Sequence, residues 1–209
     1  MPSIRLSLLC ALLGLLPAAG NSQPAPFQAE WINDLRLGGY VIVFRHGATS
    51  SDQAGTDPMS RPNASAQRQL NDQGRAQAKL IGESMRKLKI PVGLVLTSTT
   101  QRAVDTGTLL GFGEVTATPD LTEGGPVVSA DENNRRVQAL RGFVTGGPPA
   151  DNNLVIVSHK PNIIDAFGKD WSDVREGEAS VFAPDGDGGY RLVIRIQASE
   201  WTRLAQASD

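Results

Sequence analysis

Two stretches decide how this chain is read: Tyr40-Val41-Ile42-Val43-Phe44-Arg45-His46-Gly47 and Leu154-Val155-Ile156-Val157-Ser158-His159. Each is a continuous apolar, β-branched run of strand length, the pattern of a strand buried on both faces in a parallel sheet. Each leads within two residues into a histidine, and the chain has only two. Val92 to Leu96, after Pro91, predicts another buried strand, and a weaker one follows near Val115. The segments between these strands carry helical spacing. From Asn71 or Asp72 as cap, Ala76, Leu80, Ile81, Met85 and Leu88 line one face, with Lys and Arg in the last turns. Ser98, Thr99 and Thr100 offer caps to a helix running to about Gly111, and Ser129 caps one from Ala130 to Phe143. Gly146 to Pro149 turns the chain into the Leu154 strand, and a short helix follows from Ile163 to Phe167. Upstream, Phe27, Trp31, Ile32 and Leu35 suit a short amphipathic helix that Gly38 and Gly39 stop. Downstream, Ala179 to Phe182 and Tyr190 to Ile196 predict a hairpin across Asp185 to Gly189, with Tyr190, Leu192, Ile194 and Ile196 facing inward. The expected fold class is α/β: a three-layer sandwich with a mainly parallel central sheet, helices on both faces and an antiparallel C-terminal hairpin at the edge.

Composition agrees with one globular domain. The 209 residues are 40% hydrophobic and 20% charged, which excludes disorder and collagen. Arg5, the apolar run Leu6 to Leu16 and the small residues Pro17, Ala18, Ala19 and Gly20 form the three parts of an export signal. That run falls short of the roughly 20 apolar residues that span a bilayer. The expected organisation is a signal peptide over 1–20, a linker over 21–26 and a domain over 27–209. The mature protein would be periplasmic or secreted, with no membrane span. Without Arg5, 19 basic and 22 acidic side chains remain, a net charge of −3 that does not steer toward nucleic acid. The single cysteine, Cys10, lies in the leader, so the mature chain would hold no disulfide and no cysteine metal site.

Mainly parallel sheets bind ligands beyond the carboxyl ends of their strands, which is where His46 and His159 fall. Singly, either is a structural histidine; as metal ligands, both lack a third partner at a recognisable spacing. Arg45 adjoins His46, and Arg102 lies in the first turn of a helix, where the macrodipole disfavours a cation and a bound anion would justify it. Either arginine alone reads equally well as the partner of a nearby Asp or Glu. Together, two guanidinium forks, two imidazoles and helix-start amides make a site for a tetrahedral dianion. The stretch from Ala48 to Gln69 has no clear element and suits a functional loop beside that site.

Four blocks in order then resemble the histidine phosphatase superfamily, the phosphoglycerate mutase-like fold, in its branch one. Arg45-His46-Gly47 resembles the family's RHG. Leu70-Asn71-Asp72-Gln73-Gly74 with Gln77-Ala78 is similar to its helix opening, and Leu96-Thr97-Ser98 with Gln101-Arg102-Ala103 and Thr106 to its second arginine block. Val155 to His159 resembles the second-histidine strand. The resemblance implies a phosphomonoesterase working on a small phosphorylated substrate without metal or cofactor. His46 would be the nucleophile, with Arg45, Arg102 and His159 holding the phosphoryl oxygens. Leu121-Thr122-Glu123-Gly124-Gly125 resembles the context of the family's proton donor and points to Glu123, with Glu132, Glu176 and Glu178 as rivals. Ala48, Asp52 and Lys160 depart from patterns common in the family and count against a mutase. A binding module for phosphorylated ligands, or a phosphotransferase or mutase of the same fold, are the alternatives, because fold alone does not give activity.

Overall fold

The computed structural model describes residues 30–50, 67–123, 128–148 and 151–208. The expected signal peptide and linker, most of the Ala48 to Gln69 stretch and residues 124–127 lie outside these. Six helices, α1 (Glu30–Leu37), α2 (Asp72–Lys87), α3 (Gln101–Leu110), α4 (Ala130–Gly146), α5 (Lys160–Phe167) and α6 (Ala198–Gln206), accompany six strands. The strands are β1 (Val41–Arg45), β2 (Val92–Thr97), β3 (Val115–Ala117), β4 (Asn153–Ser158), β5 (Ala179–Pro184) and β6 (Tyr190–Ile196). They form one sheet in the order β3-β2-β4-β1-β5-β6, with the first four parallel and the β5–β6 hairpin antiparallel at the edge. Among the described residues no helix is long and apolar enough to cross a membrane.

Alternate residues of the buried strands feed two cores, one on each face. Ile42, Phe44, Val155, Val157 and Val181 pack with the apolar stripes of α1, α2, α3 and α6. Val41, Val43, Leu154, Ile156 and Phe182 pack with Leu140 and Val144 of α4 and Ile163 and Ala166 of α5. Helices on both faces satisfy strands that are apolar on both sides.

Three local features depart from the sequence reading. α4 runs three residues past Phe143, to Gly146. In β6 the inward set is not one alternating row: Val181 pairs with Ile194 but Phe182 with Leu192, so Val193 is an extra, bulged residue. The bulge reverses the parity, and Tyr190 joins the Phe182 core while Ile194 and Ile196 join the other. Leu192 is left 39% exposed. The C-terminal helix α6 was not expected at all. Gln197 and Glu200 cap its start reciprocally, and its fully buried Trp201 lies 6.4 Å from Phe44 and 6.2 Å, edge-on, from Trp31. Ala198, Trp201 and Ala205 are a sparse stripe whose burial depends on β1 and α1, which are distant in sequence.

α2 is fastened directly to the turn after β1. Asn71 caps it, accepting from Gly74 N at 2.8 Å, while Asn71 N donates to Ala48 O at 3.0 Å. Gly74 is required there, because a Cβ would collide with the Ala48 backbone. A β-bridge between Thr49 and Leu70 closes the two ends of the intervening segment.

Candidate active site

Strand register brings the two histidines together. β1 and β4 are neighbours with Phe44 opposite Val157 and Arg45 opposite Ser158, so the next residues emerge side by side at the strand ends. His46 N donates to Ser158 O at 3.1 Å, and the imidazole centroids lie 5.3 Å apart. β2, on the other side of β4, delivers Ser98 to His159: Ser98 N donates to Val157 O, and Ser98 Oγ lies 2.7 Å from His159 Nε2. The hydroxyls expected to cap α3 are used here instead. Thr100 occupies the N-cap position without a side-chain cap bond, and its Oγ1 lies 3.3 Å from His159 Nε2. Thr99 Oγ1 meets Thr122 Oγ1 at 2.9 Å.

The hydrogen bonds assign the tautomers. His46 Nδ1 lies 2.8 Å from Gly47 O, and a carbonyl only accepts, so Nδ1 carries the proton and Nε2 keeps its lone pair. Arg102 Nη2 lies 3.2 Å from His159 Nδ1, and a guanidinium only donates, so the neutral His159 ring holds its proton on Nε2, toward Ser98. Burial foremost, with the neighbouring His159, Arg102 and Arg45 all disfavouring a second positive charge, holds His46 well below the ordinary histidine value of 6.5. The folded protein therefore refuses a proton that the unfolded chain accepts once the pH falls below that ordinary value. This contribution to stability is complete above about pH 6.5 and is lost as pH falls. Thermal melts from about pH 7.5 to about pH 5.5 should show a falling midpoint that flattens in His46→Asn; equal slopes in the two proteins would contradict it.

Arg102 is only 3% exposed, and its guanidinium is ion-paired with Glu123. Arg45 is half-buried. Its Nη1 donates to Val174 O at 2.8 Å, its Nη2 lies 3.5 Å from Glu176, and its Nε is buried without a hydrogen-bond partner among the described residues. Burial foremost, and the charge of Arg68 in part, lower the pKa of both guanidinium groups, while Glu176 beside Arg45 and Glu123 beside Arg102 push back. Arg68 is the site residue that the sequence reading passed over. Its neighbour Gln67 is buried and accepts from Gln101 N, at the first turn of α3, at 2.9 Å. The Thr49–Leu70 bridge that draws the end of this stretch toward β1 is a tertiary contact, so spacing along the chain gave no signal for Arg68.

Of the four candidate proton donors, Glu123 alone contacts Arg102, and its Oε2 lies 3.8 Å from His159 Nδ1. Glu132 is bonded by Arg135 and Arg136, which hold its carboxyl down at about 2, leaving it no proton to give. Glu176 accepts from Thr49 Oγ1 and pairs with Arg45. Glu178 is fully buried and saturated by Arg175 N, Arg195 and Gln197. The backbone carrying Glu123 is clamped in turn: the buried Arg136 donates through Nη1 to Thr122 O at 2.9 Å and Glu123 O at 3.2 Å. Trp171 is core, donating Nε1 to Ser180 Oγ at 2.8 Å. No three or more His, Cys, Asp or Glu among the described residues are grouped to hold a metal ion.

Comparison with known proteins bears on the family and the fold. The model of the histidine phosphatase superfamily (branch 1) matches residues 41–126, which contain Arg45, His46, Arg102 and Glu123. No protein of curated function matches the sequence. Among solved structures, the protein histidine phosphatase SixA complexed with tungstate is similar, with a TM-score of 0.57 and 18% identity over 77% of this chain and 98% of that one. A putative alpha-ribazole-5'-P phosphatase from Escherichia coli has a TM-score of 0.55 and 17% identity over 77% and 98%. Phosphoserine phosphatase from Entamoeba histolytica, in complex with 3-phosphoglyceric acid, has a TM-score of 0.53 and 15% identity over 76% and 96%. At these identities the neighbours speak for the fold. By the match over residues 41–126, the ordered motifs and the fold, the chain is similar to the histidine phosphatase superfamily, branch 1.

Proposed function

We propose that this protein is an exported phosphatase that hydrolyses small phosphomonoesters through a phosphohistidine on His46, without metal or cofactor. The observation that carries the reading is a buried, neutral histidine whose Nδ1 is committed to Gly47 O, leaving the Nε2 lone pair available beside His159 and Arg102. Nε2 attacks phosphorus, the ester P–O bond breaks, and the leaving alkoxide takes a proton from Glu123. Water then attacks the phosphohistidine while Glu123 takes its proton, the P–N bond breaks, and phosphate leaves with His46 neutral again. Arg45, Arg102 and His159 stabilise the charge spread over the phosphoryl oxygens, and Arg68 adds to the positive field. Without a bound dianion, Glu123 occupies Arg102; a phosphoryl group would displace it.

Turnover is favoured over capture without chemistry because a carboxylate able to move a proton adjoins both Arg102 and His159. Export rests on the leader pattern, Arg5 followed by Leu6 to Leu16 and a small-residue cleavage region.

The test is phosphate release from p-nitrophenyl phosphate and a panel of phosphorylated metabolites, with and without EDTA. Release unaffected by the chelator is expected. Activity lost in EDTA and restored by a divalent ion would replace this mechanism with a metal-assisted one. Saturable stabilisation by phosphate with no release from any substrate would make the protein a binding module.

A further inference from the structure

Residues 174–178, between α5 and β5, hold the first arginine–histidine pair from one side. Gly177 N donates to both Arg45 O at 3.1 Å and His46 O at 3.0 Å, and Arg45 N donates to Glu178 O at 3.0 Å. Gly177 does this at a φ of +75°, in the left-handed region that favours glycine. The same segment occupies the ends of the Arg45 side chain, Val174 O taking Nη1 and Glu176 lying by Nη2. Buried Nε is then the Arg45 donor left without a partner among the described residues. The aim of the guanidinium therefore depends on where this segment sits.

The segment is fastened to β6 and to the end of that strand by Glu178, whose side chain is fully buried. Its Oε2 accepts from Arg175 N at 3.0 Å and from Gln197 Nε2 at 2.6 Å. Its Oε1 accepts from Arg195 Nε at 2.6 Å. Arg195 also donates to Asp170 O at 2.9 Å and pairs with Asp173 Oδ1 at 2.8 Å, so one guanidinium spans both ends of the loop that follows α5. A buried carboxylate with this many donors tolerates little displacement, because losing any one of them leaves charge uncompensated.

From this geometry we infer that the Arg195–Glu178 pair is a positioning device for the reaction: through residues 174–178 it sets Arg45 for the phosphoryl group, although neither residue touches substrate. The inference rests on the phosphatase reading above. It adds a dependence of phosphoryl binding on a side chain of the edge hairpin.

The experiment is a double-mutant cycle. Arg195→Lys keeps the charge and loses the fork, and is compared with its parent both in the natural sequence and in an Arg45→Ala background. The readouts are kcat/KM for p-nitrophenyl phosphate and the orthovanadate inhibition constant. In the natural sequence we expect kcat/KM to fall by about tenfold or more, with vanadate weakened in parallel, because small misplacements at a reacting centre are costly. In the Arg45→Ala background the same substitution should cost less than about twofold. An equal fall in both backgrounds, or none in the natural sequence, overturns the positioning role. If melting shows that Arg195→Lys does not fold, Glu178→Gln, which keeps the side chain's shape, is put through the same cycle. An inactive natural protein would instead count against the phosphatase reading, and the cycle would then be run on vanadate binding by calorimetry, where the same comparison decides.

Discussion

His46→Ala is expected to lower kcat/KM for p-nitrophenyl phosphate by about 10⁴-fold or more, the scale on which enzymes lose activity with their nucleophile. The effect is large because no neighbouring group can take over. His159, the only other histidine, has Nδ1 beside Arg102 and Nε2 on Ser98 Oγ, so neither nitrogen is available to attack. The fold should survive, since His46 contributes one bond, to Gly47 O, and its backbone remains tied to Ser158 and Gly177. That bond is worth about 1 kcal/mol. Binding of orthovanadate should persist in the variant through Arg45, Arg102 and His159. Rapid quenching of the natural enzyme during turnover should trap phosphate on the protein, and His46→Ala should trap none. Hydrolysis undiminished in that variant would end the covalent mechanism.

Glu123→Gln should separate substrates by leaving group. An alkoxide needs a proton as it departs, and general acid catalysis contributes typically 10²–10⁴-fold, so hydrolysis of alkyl phosphates should drop by about that range. p-Nitrophenolate leaves unprotonated, so kcat/KM for p-nitrophenyl phosphate, which is set by the phosphorylation step and not by hydrolysis of the phosphohistidine, should fall far less. Glutamine keeps the size of the side chain and removes the charge paired with Arg102, which is 3% exposed. An equal loss of kcat/KM on both substrate classes would make Glu123 the residue that holds Arg102 rather than the proton donor. Glu132 is the control: with its carboxyl held at about 2 by Arg135 and Arg136, its replacement by Gln should leave the ratio between the two substrate classes unchanged.

Much of the fold could be read from local pattern because its decisive elements are locally encoded. The runs leading into His46 and His159 are apolar on both faces and short, which leaves little but a doubly covered strand. Asn71 and Ser129 cap α2 and α4 as expected, accepting from Gly74 N and Glu132 N. α6 and the β6 bulge were not legible, since each exists only against a partner distant in sequence. Trp201 needs Phe44 and Trp31, and Val193 is extra only in relation to the residues that β5 pairs.

The sequence by itself determined the strand-end histidines, the two arginine blocks and their order, because chemistry at the end of a buried strand follows from a short contiguous motif. Tertiary structure decided which groups meet. The β1–β4 register sets His46 beside His159, and β2 turns the presumed helix caps Ser98 and Thr100 toward the second histidine. Glu123, favoured by its motif, and its three rivals were separated by their partners: Glu132 is held by Arg135 and Arg136, Glu178 by Arg195, Gln197 and Arg175 N, Glu176 lies by Arg45, and Glu123 reaches Arg102 and His159. Arg68, like the Arg195–Glu178 pair, emerged only with the fold, because electrostatic and hydrogen-bonded neighbours depend on distance in space, which spacing along the chain does not specify.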